Sequence, residues 1–128
     1  MQLNRLDHVN IRTQNLAEMI KWYSDVLGLV SGKRPNFPFK GAWMYLGDFP
    51  VVHIVEFKDR DLVGAEEDLK LEHFAFAARD RQACEDKLNH MNVPYRRVDI
   101  PLSNLTQINI WDPDGNHIHV DFRMDEQV

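Results

Sequence analysis

The sequence predicts an α+β fold built from two βαβββ modules. Three observations carry this. Leu6-Asp7-His8-Val9-Asn10-Ile11 reads as leucine, acid, histidine, apolar, small, apolar, and Leu71-Glu72-His73-Phe74-Ala75-Phe76 repeats the pattern 65 residues later. His53-Ile54-Val55-Glu56-Phe57 is echoed by His119-Val120-Asp121-Phe122 at an offset of 66. Between the members of each pair, helical spacing gives way to short extended segments, in the same order twice. Two echoes at nearly one offset mark a duplication. With 128 residues the chain has the length of one ordinary domain, 1–128, made of two repeats at about 1–60 and 68–128.

Each element has its own signal. The first strand covers Leu6 to Ile11. Asn15 then opens a helix, with Glu18 three positions on as a capping-box partner. Leu16, Ile20, Tyr23 and Leu27 recur at helical spacing, and Gly28 stops the helix. Extended segments follow at roughly Leu29 to Ser31, Ala42 to Leu46 and Val51 to Phe57, with a turn at Gly47-Asp48. In the second repeat, Asp80 caps a helix that carries Cys84, Leu88 and Met91 on one face. Asn92, which tolerates the left-handed conformation, ends it. Val93-Pro94 returns the chain to extended structure. Strands are expected at Tyr95 to Val98, Thr106 to Trp111 and His117 to Phe122. Asp112-Pro113-Asp114-Gly115 supplies a turn. The joint from Lys58 to Lys70 is charged and expected to be exposed.

Composition narrows the function. The formal charge is −5 and no basic run occurs, which argues against nucleic acid as a partner. No apolar stretch approaches the length of a membrane span, and Met1 to Arg5 contains no apolar signal core. The lone Cys84 cannot form an internal disulfide, so a reducing, cytoplasmic setting is expected.

The six histidines are the chemical signal. Strand residues alternate faces. His8 shares a face with Leu6 and Asn10, and His73 with Leu71 and Ala75, away from the apolar positions that would pack under each helix. If two curved sheets face each other, His8, His53, His73 and His119 converge. Neutral imidazole suits zinc, iron, nickel or copper, and such a site fails as pH falls through about 6. His117 shares the strand face of His119 and is expected to back the ligands or line the pocket. His90 falls late in the second helix and is expected to be solvated.

These residues resemble the vicinal oxygen chelate superfamily, which includes glyoxalase I, extradiol dioxygenases and the fosfomycin and bleomycin resistance proteins. The resemblance lies in Leu6 to Ile11, Trp22-Tyr23-Ser24-Asp25-Val26-Leu27-Gly28-Leu29, Leu71 to Phe74 and Asp112-Pro113-Asp114-Gly115-Asn116-His117-Ile118-His119. It covers nearly the whole chain. It implies open curved sheets around a central cavity that holds a divalent metal ion (iron, zinc, nickel or manganese). It also implies a homodimer with a shared active site. His8 and His73 fall where the family's modules place their first ligands. His119 and His53 fall where glyoxalase I has glutamates, which is the main departure. Four neutral ligands would leave the ion's charge uncompensated and favour an anionic chelating ligand. With no ligand carboxylate to act as base, Asp121 is the candidate for that role. Trp43, Tyr45, Asn109 and His117 are the expected substrate-binding residues. Lys33, Arg34, Arg96 and Arg97 could attract an anion, although solvated positions suit them better. The expectation is a metal-dependent enzyme of the glyoxalase/dioxygenase type acting on a small chelating substrate, with the metal stabilising an oxyanion. The alternative is a metal-free drug- or metabolite-binding protein of the bleomycin-resistance type.

Overall fold

The computed structural model describes residues 1–2, 4–57 and 71–126. The joint expected between Lys58 and Lys70 lies outside the described residues. The chain forms two compact units, Met1–Val63 and Gly64–Val128.

The first unit runs β1 (Val9–Thr13), α1 (Leu16–Asp25), β2 (Val30–Gly32), β3 (Gly41–Leu46) and β4 (Phe49–Glu56). Its sheet has the order β1-β4-β3-β2. β1 lies parallel to β4, with Asn10 opposite His53, and the other pairs are antiparallel. Parallel neighbours need a long connection, and here α1 with β2 and β3 provides it. The helix buries Met19 and Tyr23 completely, and Val26 and Leu29 continue the apolar surface. Ala42, Met44, Val52 and Ile54 complete this core from β3 and β4.

Two details of α1 differ from the expectation. The capping box does not form: Asn15 makes no side-chain cap, and its backbone N–H instead donates to Thr13 Oγ1 at 2.9 Å. The buried face is centred on Met19 and Tyr23, while Leu16, Ile20 and Leu27 lie at its half-buried margins. Helical spacing alone did not separate these two overlapping stripes. Gly28 ends the helix as expected, at φ +73°, where a side chain would be strained. Its N–H donates to Ser24 O, and the Leu29 N–H donates to Tyr23 O.

The second unit repeats the plan: β5 (Phe74–Ala77), α2 (Arg81–His90), β6 (Arg96–Ile100), a 3-10 turn (Pro101–Ser103), β7 (Leu105–Trp111) and β8 (His117–Arg123). The sheet order is β5-β8-β7-β6, again with the first strand parallel to the last. Asp80 caps α2 by accepting from the Ala83 N–H at 3.0 Å, and Asn92 takes the left-handed conformation at φ 55°. Ile108, Ile110, Ile118, Val120 and Phe122 fill the sheet side of the core, with Leu88 from the helix. The turn at 112–115 forms as the sequence indicates. Gly115 N–H donates to Asp112 O, while the Asp112 carboxylate accepts from the backbone N–H groups of Asp114 and Asn116.

Candidate metal centre

β1 begins at Val9 and β5 at Phe74, so His8 and His73 each sit one residue before a strand rather than inside it. Both are still placed beside the strand that ends their repeat, because β1 and β5 pair in parallel with β4 and β8. In the first unit the rings of His8 and His53 stack with centroids 3.8 Å apart and planes 8° apart. In the second, His73 stacks on His119 at 4.0 Å and 13°. In each pair the leading imidazole is exposed and the trailing one is buried.

The residue before each leading histidine sets its tautomer. His8 Nδ1 donates to Asp7 Oδ2 at 2.8 Å, and His73 Nδ1 donates to Glu72 Oε2. These bonds hold the Asp7 carboxyl below its usual range. Glu72 is held further down, to about 2, chiefly by the His73 bond and then by one from His117. Ionised carboxylates only accept hydrogen bonds, so the proton of each leading imidazole stays on Nδ1. Nε2 then carries the lone pair a metal needs. Carboxylate–histidine–metal arrangements of this type orient the ligand ring and raise its basicity. His53 Nε2 donates to the Pro50 carbonyl at 3.0 Å, which leaves Nδ1 as its donor atom. Burial, and then the neighbouring His8, push His53 toward its neutral form. Burial, and then His73 and His117, do the same for His119. Neutral imidazole is the form that binds a metal.

The two acids, Asp7 and Glu72, were not singled out by sequence reasoning, although they contact the leading histidines. Their signal was visible, since an acid precedes the histidine in both copies of the repeat. In each unit a carboxylate thus stands one hydrogen bond behind the leading imidazole.

The second unit adds a third imidazole. Donor atoms of His73, His117 and His119 lie within 4.8 Å of one another. His117 is buried, stacks on Trp111 at 5.1 Å and meets His119 edge-on at 4.7 Å. Asp121, one strand repeat beyond His119, has Oδ1 3.9 Å from His119 Nδ1. That oxygen is buried and has no hydrogen-bond partner among the described residues, and burial raises its carboxyl above the usual range.

The expected pocket residues divide by unit. Trp43 lies flat on His53 at 4.0 Å and 13°. Tyr45 packs its ring over Gly32, where a Cβ would come within 2.8 Å, and donates its hydroxyl to the Lys33 carbonyl. Asn109 is buried opposite His119 and donates to the Arg96 carbonyl at 3.0 Å. Phe37 and Phe39 stack on each other beneath the Arg34 guanidinium, and Phe37 approaches Trp43. His90 is exposed, as expected.

A separate groove of about 480 Å³ in the second unit is lined by Arg81, Gln82, Arg97, Thr106, Arg123, Met124 and Glu126. Arg81 pairs with Glu85, Arg97 with Glu85 and Asp99, and Arg123 with Asp125. Its three arginines are thus each paired with a carboxylate.

Comparison with known proteins gives a consistent picture. Residues 5–120 match the Glyoxalase/Bleomycin resistance protein/Dioxygenase superfamily. "Glyoxylase I 4" of Arabidopsis thaliana is 26% identical over 125 residues, covering 94% of this chain and 71% of that protein. A glyoxylase/bleomycin resistance protein/dioxygenase domain from Frankia sp. EAN1pec superposes with a TM-score of 0.79 at 16% identity, covering 95% of this chain and 99% of the other. A lactoylglutathione lyase from Agrobacterium tumefaciens does so with a TM-score of 0.72 at 17% identity, covering 95% and 96%. Among the described residues no helix is long and apolar enough to cross a membrane.

Proposed function

The chain belongs to the glyoxalase/bleomycin resistance protein/dioxygenase superfamily, and from that premise we propose that it is a metal-dependent enzyme acting on a small chelating substrate. The observation that carries the reading is the acid–histidine pair at the head of each repeat, which leaves Nε2 of His8 and His73 as donors. His53 and His119, stacked on them and held toward the neutral form, add a second candidate donor in each unit. When bound, a divalent ion would polarise substrate oxygens and stabilise an oxyanion.

The chain's own residues supply the rest. Asp121 is the proposed base, a role supported by its buried Oδ1, which has no hydrogen-bond partner among the described residues. Trp43, whose face covers His53, forms an aromatic wall, and Tyr45 holds β2 against that wall. Asn109 places a polar amide opposite His119 on the neighbouring strand. Assembly as a homodimer is part of the same proposal.

Elemental analysis of untagged protein tests this reading. A divalent metal should copurify, and chelation should abolish turnover. His73→Ala should remove metal uptake, and full stoichiometric metal in that variant would refute the ligand assignment. The exposed aromatic set Phe37 and Phe39 favours a second reading, a metal-free binder of a drug or metabolite. Ligand binding that persists unchanged after chelation would select it.

A further inference from the structure

Glu72 does more than hold His73. Its two carboxylate oxygens are divided between two rings: Oε2 accepts from His73 Nδ1, and Oε1 accepts from His117 Nδ1 at 2.9 Å. On the far side of His117, Nε2 lies 2.9 Å from Asn109 Oδ1. The orientation of that amide is fixed, because its Nδ2 donates to the Arg96 carbonyl on the neighbouring strand. His117 therefore meets an oxygen acceptor at each nitrogen, and its ring is held flat against Trp111. A chain of four polar contacts runs from His73 to the backbone of β6, in which a neutral His117 ring donates to one of its two oxygens at a time.

We infer that His117 is a positioning residue, which fixes the Nδ1–H tautomer of His73 through Glu72 and is itself neither a metal ligand nor a substrate contact. This deepens the metal reading above and rests on it for its purpose. The geometry argues against the simpler assignment of His117 as a third ligand beside His73 and His119. Both of its nitrogens face oxygens at 2.9 Å, and a metal at either nitrogen would have to displace Asn109 Oδ1 or Glu72 Oε1. Displacing either leaves a polar group unpaired, which costs more than the bond contributes. The first repeat gives a contrast within the same chain. Val51 stands at the position matching His117, and among the described residues Asp7 is braced by an exposed Arg5 at 3.5 Å. The leading histidine of the second repeat is thus the more firmly set of the two.

The test uses the full-length, metal-free protein labelled with nitrogen-15, with long-range proton–nitrogen correlation of the imidazole rings. In the wild type, His73 should carry its proton on Nδ1. His117→Phe keeps a ring against Trp111 but removes both nitrogens. In that variant His73 should shift toward the Nε2–H form that imidazoles favour in water, while His8 stays unchanged. Zinc affinity, read by competition with a chromophoric chelator, should fall about 10- to 100-fold with full stoichiometry at saturation. Glu72→Gln provides a second route should His117→Phe not fold, and the same shift is expected. An unchanged His73 tautomer in the variants would overturn the inference. So would complete loss of zinc in His117→Phe with the Nδ1–H form retained, since that result would make His117 a ligand. A wild type that takes up no zinc would refute the metal reading instead, and the tautomer comparison would still decide the role of His117.

Discussion

The two units share a backbone plan and a stacked imidazole pair, but they differ in what surrounds the pair. Across the repeat, Trp43 of the first unit corresponds to Asn109 of the second, Val51 to His117, and Val55 to Asp121. The first unit flanks its histidines with an aromatic plane and aliphatic side chains. The second flanks its own with an amide, a third imidazole and a buried carboxylate. The core positions behind them are kept apolar in both, with Met44 matching Ile110 and Val52 matching Ile118. The duplicated fold thus preserved strand pairing and the donor pair, while the positions facing the same way diverged. One repeat sets aromatic and aliphatic surface beside its imidazole pair, the other hydrogen-bonding and ionisable groups.

The sharpest way to break this comparison is to remove a leading histidine from each unit in turn. His8→Ala and His73→Ala should both abolish metal uptake, measured by elemental analysis of untagged protein. Retention in one variant alone would show that the donor pairs are not equivalent. Next come the matched core positions. Met44→Ala and Ile110→Ala should each lower stability by about 2–5 kcal/mol in denaturant titrations of the metal-free protein. A much smaller loss in one unit would mean that it folds around a looser core. Asp7→Asn should weaken metal affinity about tenfold, toward the low end of the range for such supporting groups. An effect larger than that of Glu72→Gln would contradict the better bracing of Glu72.

Smaller effects concern pH. Glu72 titrates at about 2 in the folded protein against an ordinary value of 4.5. A depressed carboxylate stabilises the fold above the unfolded value and loses that contribution as pH falls. Wild-type protein should therefore lose stability between about pH 4.5 and 2 more steeply than Glu72→Gln, as followed by thermal melts. Asp121 has the opposite sign, because burial raises its value above 3.8. Its ionised form disfavours the fold as pH rises past that raised value. Asp121→Asn should thus melt slightly higher than wild type at neutral pH while losing turnover. A lower melting temperature would show that the carboxylate has a structural partner.

Much of the fold was legible because it is written twice. The paired echoes at His8/His73 and His53/His119 gave the repeat, and each gave the order of elements inside it. The turn at Asp112 and the caps at Asp80 and Asn92 were readable from local chemistry, since few residues tolerate those conformations. The face of α1 was read one stripe off, because Leu16 and Ile20 are as apolar as Met19 and only packing chooses between them. The candidate site was half legible. Residue types and the shared strand faces pointed to the histidines. The acids before His8 and His73 repeat visibly, but which ring nitrogens Asp7, Glu72 and Asn109 contact was not readable, because that depends on rotamers no spacing encodes. The link from His117 to Glu72 joins residues 45 positions apart, which only the parallel pairing of β5 with β8 brings together.

That parallel pairing also governs when a repeat becomes competent. His8 and His53 come from the first and last strands of their unit, and His73 and His119 from the first and last of theirs. Neither couple can exist in a nascent chain until the ribosome has emitted the closing strand, and non-local contacts of this kind form late. Each stacked couple is therefore a product of the finished unit and not of any local segment of it.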